Sequence, residues 1–448
     1  MHESILQSVG RTPLVKLRRL TAGLAPTVAV KVEGMNPGGS TKDRVAVAMI
    51  ADAEKRGWLR PGGTIIEATA GNTGVGLAMA GAVKGYRCIF VLPDKMSSEK
   101  VALLKAYGAE VVITPTAVAP DSPESYNGVA DRLAREIPGA WRPNQFTNLS
   151  NPEAHYRTTG PEIWEQTQGK VTHLVGGVGT GGSLSGCGKY LKELNPDVKV
   201  VGADPEGSVL SGGTPGSWKV EGIGEDFVPK TFNSQLVDDW VRVSDAESFQ
   251  TARELARREG ILCGGSCGTA LAAGLRYARR LTPNDLMVVL CPDTGRNYMS
   301  KMYDDAWLAA NKLQWVPAIA HTVGDLLKKR GERPLVTIGP EATAADAISI
   351  FQTAGFSQLP VLDQGKPVGS VQEVTLARIL HDQRDPAQVN IGEIMARPLP
   401  QLETATHLDE AYRLLLSGNT GVLAVNEGAV VGIVTRIDLI DYWTKKGD

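Results

Sequence analysis

His173-Leu174-Val175-Gly176-Gly177-Val178-Gly179-Thr180-Gly181-Gly182-Ser183 decides how the chain is read. An apolar run of strand type ends in a glycine-rich turn, and a helical stretch follows. Five glycines in this turn let backbone amides crowd round a phosphate at the start of a helix. Outward from it, short β-branched runs alternate with helical patterns from about Thr27 to Cys291. Strands are expected over Val28–Val32, Thr64–Glu67, Cys88–Leu92, Glu110–Ile113, His173–Val175, Val198–Ala203 and Leu286–Cys291. Helices such as Arg44–Lys55, Gly74–Lys84 and Ser98–Ala106 fall between them. Such alternation predicts an α/β fold with a parallel sheet covered on both faces, and ligands at the carboxyl ends of its strands.

Size and composition bound the rest. A chain of 448 residues exceeds one ordinary domain. A net charge of −2, with no long basic run, argues against nucleic acid or an anionic membrane as partner. The five cysteines, at 88, 187, 263, 267 and 291, form no Cys-x-x-Cys pair and no closed disulfide framework. Buried free thiols in a reducing cytosol are the plain reading. The six histidines (2, 155, 173, 321, 381 and 407) lie too far apart for local metal-ligand spacing, so no metal is expected. No apolar signal region opens the chain and no spanning segment follows, which points to the cytoplasm.

Trp307–Pro334 turns aromatic and then basic, and reads as a partly helical linker over 307–333 between domains at 1–306 and 334–448. Beyond it lies a weak internal repeat, at about 334–385 and 391–448. Gly365 and Gly369 recur as Gly428 and Gly432 at an offset of 63, each unit reading helix, strand, tight turn, strand, helix. Neither unit is expected to bury a core alone, so the two should pack as one domain.

Three further segments carry chemistry. In Asn36-Pro37-Gly38-Gly39-Ser40-Thr41-Lys42-Asp43-Arg44, Ser40 or Thr41 can cap a helix with Lys42 in its first turn. The helix dipole would depress the pKa of that lysine; a solvated surface lysine is the plain alternative. Glu67-Ala68-Thr69-Ala70-Gly71-Asn72-Thr73-Gly74 follows a strand, and its amides with the Thr69 and Thr73 hydroxyls would hold a carboxylate. Ser266, in Cys263-Gly264-Gly265-Ser266-Cys267, reads by itself as a helix N-cap. A rival stays open: Gly177, Gly179 and Gly182 satisfy Gly-x-Gly-x-x-Gly, and Asp204 ends the next strand, the pattern of an NAD-dependent oxidoreductase.

Taken together, the Ser-x-Lys-Asp-Arg block, the Thr-x-Gly-Asn-Thr-Gly loop and the glycine-rich loop resemble, in family order, the fold-type II pyridoxal-phosphate enzymes. The likeness is to their cysteine synthase and cystathionine β-synthase branch, and runs from about Ile5 to Tyr303. It implies two parallel-sheet α/β subdomains and pyridoxal 5′-phosphate as cofactor. By the same resemblance Lys42 is the Schiff-base lysine and Asn72 bonds the cofactor's 3′-oxygen. Gly179, Thr180, Gly181, Gly182 and Ser183 cradle its phosphate, and Ser266 bonds the pyridine nitrogen. Thr69, Gly71, Asn72, Thr73 and Gln145 are the implied carboxylate set. The implied reaction is β-replacement, with Lys42 moving the Cα proton.

Within the branch, Asn151-Pro152-Glu153-Ala154-His155-Tyr156 and Val220-Glu221-Gly222-Ile223-Gly224-Glu225-Asp226-Phe227 lean toward condensation of serine with homocysteine to cystathionine. O-acetylserine with sulfide is the nearest alternative. Phe146 and Glu225 stand where eukaryotic members commonly carry tyrosines, and Glu225 is a candidate contact for the homocysteine ammonium. The haem-binding extension of animal members is not seen, so no haem is expected. The C-terminal pair resembles CBS modules, in which Thr435 and Asp438 would hold the ribose of an adenosyl ligand; the first module lacks that pattern. A packing module without ligand is the plain alternative there, and a non-catalytic adenosyl sensor the third reading of the whole chain. The family implies a homo-oligomer, usually a dimer.

Overall fold

The computed structural model describes all residues except 70, 95–97, 116, 117, 120, 121, 314–321, 332, 334, 355–357, 407 and 445–448. Ala70, His321, Pro334 and His407, named above, lie outside the described residues, as does part of the expected linker. The chain divides into two compact units, Met1–Trp315 and Val316–Asp448.

Among the described residues, ten strands build the first unit: Leu14–Lys16 (β1), Thr27–Val32 (β2), Thr64–Glu67 (β3), Arg87–Pro93 (β4), Glu110–Thr114 (β5), Ala140–Trp141 (β6), His173–Gly177 (β7), Lys199–Pro205 (β8), Asp239–Val243 (β9) and Leu286–Cys291 (β10). They form two sheets, β1-β2-β10-β7-β8-β9 and β5-β4-β3-β6. Every pair is parallel except β1 with β2. The expected strands all fall in this set. Three others were not legible: β1 and β6 are too short for a periodic signal, and β9 carries polar residues at half-exposed positions of a sheet edge.

The inner strands read as continuous apolar runs because helices cover both faces, leaving nothing to alternate with. Phe90, Leu92, Ile65, Met49 and Ile50 are among the fully buried side chains of the smaller subdomain. Each stabilises the fold by about 1.5–3 kcal/mol relative to exposure. In the larger sheet Val289 pairs with both Val30 and Val175, and Gly177 with Ala203, so the carboxyl ends of four strands open on one edge.

Four helices start at the site: α1 (Lys42–Lys55), α2 (Asn72–Lys84), α3 (Gly182–Leu194) and α4 (Gly265–Ala278). Helix α1 buries Val45, Ala46, Met49, Ile50 and Ala53, one face at helical spacing. Gly76 lets α2 press against its start, since a Cβ there would lie 2.9 Å from the Lys42 carbonyl oxygen. Beneath α1 runs a buried ionic network. Arg44 donates from Nε and Nη2 to Glu33 at 2.7 and 2.8 Å, and from Nη1 and Nη2 to Glu162 at 2.7 and 2.8 Å. Lys31, fully buried, donates to Glu162 at 2.7 Å and to the Thr12 carbonyl at 2.7 Å.

In the second unit the repeat is geometric as well as sequential. Helix, strand, strand, helix runs through Ala344–Ala354, Gln358–Asp363, Lys366–Gln372 and Glu373–His381, then through Leu408–Leu416, Val422–Asn426, Ala429–Val434 and Arg436–Thr444. Both hairpins turn on two left-handed residues, Gln364-Gly365 and Glu427-Gly428. Both carry a register shift at the same repeat position, Val361/Leu362 and Ala424/Val425. The two modules fall in one compact unit, with one hydrophobic cluster around Leu359, Val361 and Val371 and a second around Val422, Ala424 and Val434. The stretch read as linker is also built in at both ends. Leu308 packs into the core of the first unit, while helix Val323–Arg330 puts Val323 and Leu326 into the second module.

Candidate active site

Lys42 opens α1 with the Ser40 hydroxyl accepting from its backbone N–H at 3.1 Å, so Ser40, not Thr41, supplies the cap. Its amine faces a cavity of about 270 Å³ and, among the described residues, has no hydrogen-bond or ion-pair partner. Burial holds this amine below the ordinary lysine range, opposed by the negative charges of Asp293 and Glu225.

The same cavity brings together Thr69, Gly71, Asn72, Thr73, Gln145, Thr180, Glu225 and Ser266. The two threonines are partly committed within the protein: Thr73 donates to Gln145 Oε1 at 2.6 Å, and Thr69 Oγ1 accepts weakly from Gly71 N–H at 3.4 Å. Ser266 is not an N-cap. Gly264 occupies that position, which leaves the buried Ser266 hydroxyl on the cavity wall with no protein partner among the described residues.

An adjoining recess is lined by Lys42, Gly179, Thr180, Gly181 and Ser183. Gly181 is left-handed (φ 78°) and directly precedes α3, so the first amides of α3 have no intrahelical acceptor. The neighbouring segment Asn151–Tyr156 braces this loop. Asn151 Nδ2 donates to Thr180 Oγ1 at 2.9 Å and to the Gln145 carbonyl at 3.0 Å, and His155 Nε2 lies 3.0 Å from Ser183 Oγ. Burial pushes His155 down to about 3, so the ring is neutral. Added Cβ atoms at Gly179 and Gly182 would collide with the Gly222 carbonyl and with Asn151. The glycines thus answer to a tight cradle.

The dinucleotide reading fails on Asp204. That carboxylate is fully buried and its Oδ2 accepts from Ser211 N–H at 2.9 Å, so it faces neither cavity. Asp293 was missed, although its place just after β10, at a strand's carboxyl end, is the signal that would have found it. It accepts from Asn72 Nδ2 at 2.9 Å and from the Tyr298 hydroxyl at 2.6 Å. Burial pushes it up to about 7 against those two hydrogen bonds. Glu225 is likewise pushed up to about 7, by burial and the adjacent Asp226, with Lys42 opposing. Thr435 and Asp438 lie in the other unit. Asp438 Oδ2 there accepts from Thr435 N–H and hydroxyl at 2.8 and 2.7 Å, and its Oδ1 lies 3.4 Å from Arg330. All five cysteines are free and buried, and no group of His, Cys, Asp and Glu among the described residues could hold a metal ion. No helix among them is long and apolar enough to cross a membrane.

An enclosed amine, an amide cradle and an unpartnered hydroxyl facing one cavity suit a phosphorylated aromatic aldehyde. The pyridoxal-phosphate dependent enzyme family model matches residues 5–293, and the CBS domain model matches 323–382 and 391–445. This is a pyridoxal-phosphate dependent enzyme with a C-terminal pair of CBS domains. Cystathionine beta-synthase of Apis mellifera is 48% identical over 99% of this chain and 91% of its own, and that of Dictyostelium discoideum 39% identical over 99% and 92%. The chain belongs to the cystathionine beta-synthase family. A solved hydrogen sulfide-producing enzyme from Fusobacterium nucleatum is also similar, with a TM-score of 0.63 and 40% identity, covering 66% of this chain and 97% of that one.

Proposed function

We propose that the chain condenses L-serine with L-homocysteine, giving cystathionine and water. The observation that carries this reading is the unpartnered Lys42 amine and Ser266 hydroxyl on one cavity wall, next to the Gly179–Ser183 cradle. Bound pyridoxal phosphate supplies an electron sink for the amino acid's Cα. Lys42 holds the cofactor's aldehyde carbon and, once free of it, takes the Cα proton and returns it. Gly179, Thr180, Gly181, Gly182 and Ser183 hold the phosphate through backbone amides and hydroxyls. Ser266, a neutral hydroxyl, meets the ring nitrogen without fixing a proton there. Asn72 orients the ring's 3′-oxygen, and Thr69, Gly71, Asn72, Thr73 and Gln145 receive the substrate carboxylate. Glu225, at the acceptor side, is placed to meet the homocysteine ammonium.

O-acetylserine with sulfide is the second reading, favoured by Phe146 in the cavity wall. Side-by-side turnover of serine with homocysteine and of O-acetylserine with sulfide separates the two. Absorbance of the purified protein and borohydride trapping test the core. The label maps to Lys42; a label on another lysine, or on none, overturns the proposal.

The C-terminal modules are proposed to take an adenosyl ligand at Thr435 and Asp438, where the Asp438 carboxylate must be shared with Arg330. Calorimetry with S-adenosylmethionine that finds no heat, and no change in activity, removes that part. The enzyme is further proposed to be a cytoplasmic homo-oligomer, which light scattering of the purified chain tests for assembly.

A further inference from the structure

The backbone at Glu225 is held from three sides. Its N–H donates to Ser208 Oγ at 3.1 Å, and its carbonyl accepts from Val209 N–H at 3.0 Å and from the Ser208 hydroxyl at 3.2 Å. The preceding Gly224 is left-handed (φ 82°), and a Cβ there would lie 2.8 Å from the Trp218 ring. Gly224 N–H also donates to the Val178 carbonyl at 2.8 Å, tying the segment to the glycine-rich loop. From this fixed backbone Glu225 lines the cavity it shares with Lys42. The other carboxylate whose charge acts on Lys42, Asp293, is committed to Asn72 and Tyr298. The Glu225 carboxyl has no hydrogen-bond or ion-pair partner among the described residues.

Proton bookkeeping calls for such a group. Hydroxide leaves carbon poorly, so an acid must protonate the β-oxygen of serine, and the incoming thiol must lose a proton to become a nucleophile. Lys42 is occupied with the Cα proton throughout, so one further residue that first gives and then takes a proton completes the cycle.

We infer that Glu225 is the acid–base residue acting at the β-carbon, an assignment that rests on the proposed β-replacement. As the Cβ–O bond breaks, its electron pair leaves with oxygen and the Glu225 proton joins it, so water departs and a carboxylate remains. The electrons that expel the oxygen come from the Cα–H bond whose proton Lys42 holds. The carboxylate then takes the proton of the homocysteine thiol while a sulfur lone pair forms the S–Cβ bond, and the Lys42 proton returns to Cα. Net, the thiol proton leaves in water. The charged and titratable groups facing Glu225 are Asp226 beside it and Lys42 across the cavity, with Asp293 on the same wall. A carboxyl that titrates at about 7 can serve in both directions near neutral pH.

The test compares donors in Glu225→Gln with one acceptor, sulfide. Serine needs a proton to lose its oxygen, whereas O-acetylserine and β-chloroalanine lose acetate and chloride without one. The serine rate falls by about 10²-fold relative to the other donors. Cofactor absorbance of the variant verifies that it folds and loads. Independently, infrared difference spectra of wild type minus Glu225→Gln show a protonated-carboxyl band that disappears as pH is raised through about 7. Equal losses for all donors, or no such band, overturn the assignment. Assayed separately with serine and homocysteine, a rise confined to the homocysteine KM also overturns it, leaving Glu225 as an ammonium contact only. Loaded wild-type protein that turns over no donor sinks the β-replacement reading itself, and this assignment with it.

Discussion

Asn72 Nδ2 donates to Asp293 Oδ2 at 2.9 Å, joining the first residue of α2 to the loop after β10, 221 residues further along the chain. That bond sets the amide of Asn72 across the cavity, and Tyr298 fixes Asp293 from behind at 2.6 Å. Asp293→Ala leaves the buried Tyr298 hydroxyl without its acceptor, at about 1–3 kcal/mol, and frees the half-buried Asn72 amide. Cofactor affinity is therefore expected to fall by roughly tenfold or more. Asp293→Asn, whose carbonyl still accepts both bonds, should stay within about threefold of wild type. Fluorescence titration with pyridoxal phosphate reads both variants.

The network under α1 predicts a stability defect separate from chemistry. Arg44→Met leaves the buried Glu33 carboxylate without its cation and Glu162 with Lys31 alone, a loss of about 3–5 kcal/mol. Urea unfolding of the cofactor-free protein measures it. A change below about 1 kcal/mol would show that water enters and resolvates the site.

Gly182→Ala tests the cradle. Its Cβ would enter the space of the Asn151 amide, which ties Thr180 to Gln145, so accommodation must break the brace on the phosphate loop. Bound cofactor, read by absorbance, should fall at least about tenfold while far-ultraviolet dichroism keeps its shape.

Stability should also depend on pH in a particular direction. Asp43 and Asp293 are pushed by burial up to about 7, above the usual carboxylate range. Their protonated forms favour the folded state, so this contribution is complete at acid pH below the unfolded values and is lost as pH rises through about 7. Glu162 is the opposite case: although burial alone would raise it, Arg44 and Lys31 hold it down at about 2. Its contribution is present above the usual value and is lost as pH falls toward 2. The raised carboxyls should therefore lift the urea midpoint of the cofactor-free protein from about pH 8 to about pH 5, opposed below 6.5 by His155, which burial holds down at about 3, before the midpoint drops in strong acid. Asp43→Asn should flatten the upper limb.

Much of this was legible because it is local. Strand, turn and helix signals sit within a dozen residues of one another, so the loops at Lys42, Asn72 and Gly179 could be found from their own neighbours. The repeat offset of 63 likewise foretold matching hairpins, while their shared bulge came only with the structure. Other features had no local trace. Asn151 and His155 brace a loop about 30 residues away, and Val323–Arg330 looks like a basic linker because only its buried face, Val323 and Leu326, belongs to a core.

The residues by themselves point to an α/β architecture and its strand-end loops, since these follow from residue type and short-range spacing, while the role expected of Lys42 rested on the family resemblance. Protonation states and partners came only with the tertiary structure. Whether a carboxyl such as Asp293 or Glu225 sits near 7, or Asp204 is turned away from the cleft, depends on burial and on groups brought close from distant parts of the chain. Electrostatic energies vary with distance and solvent exposure, and neither quantity is written in the order of residues.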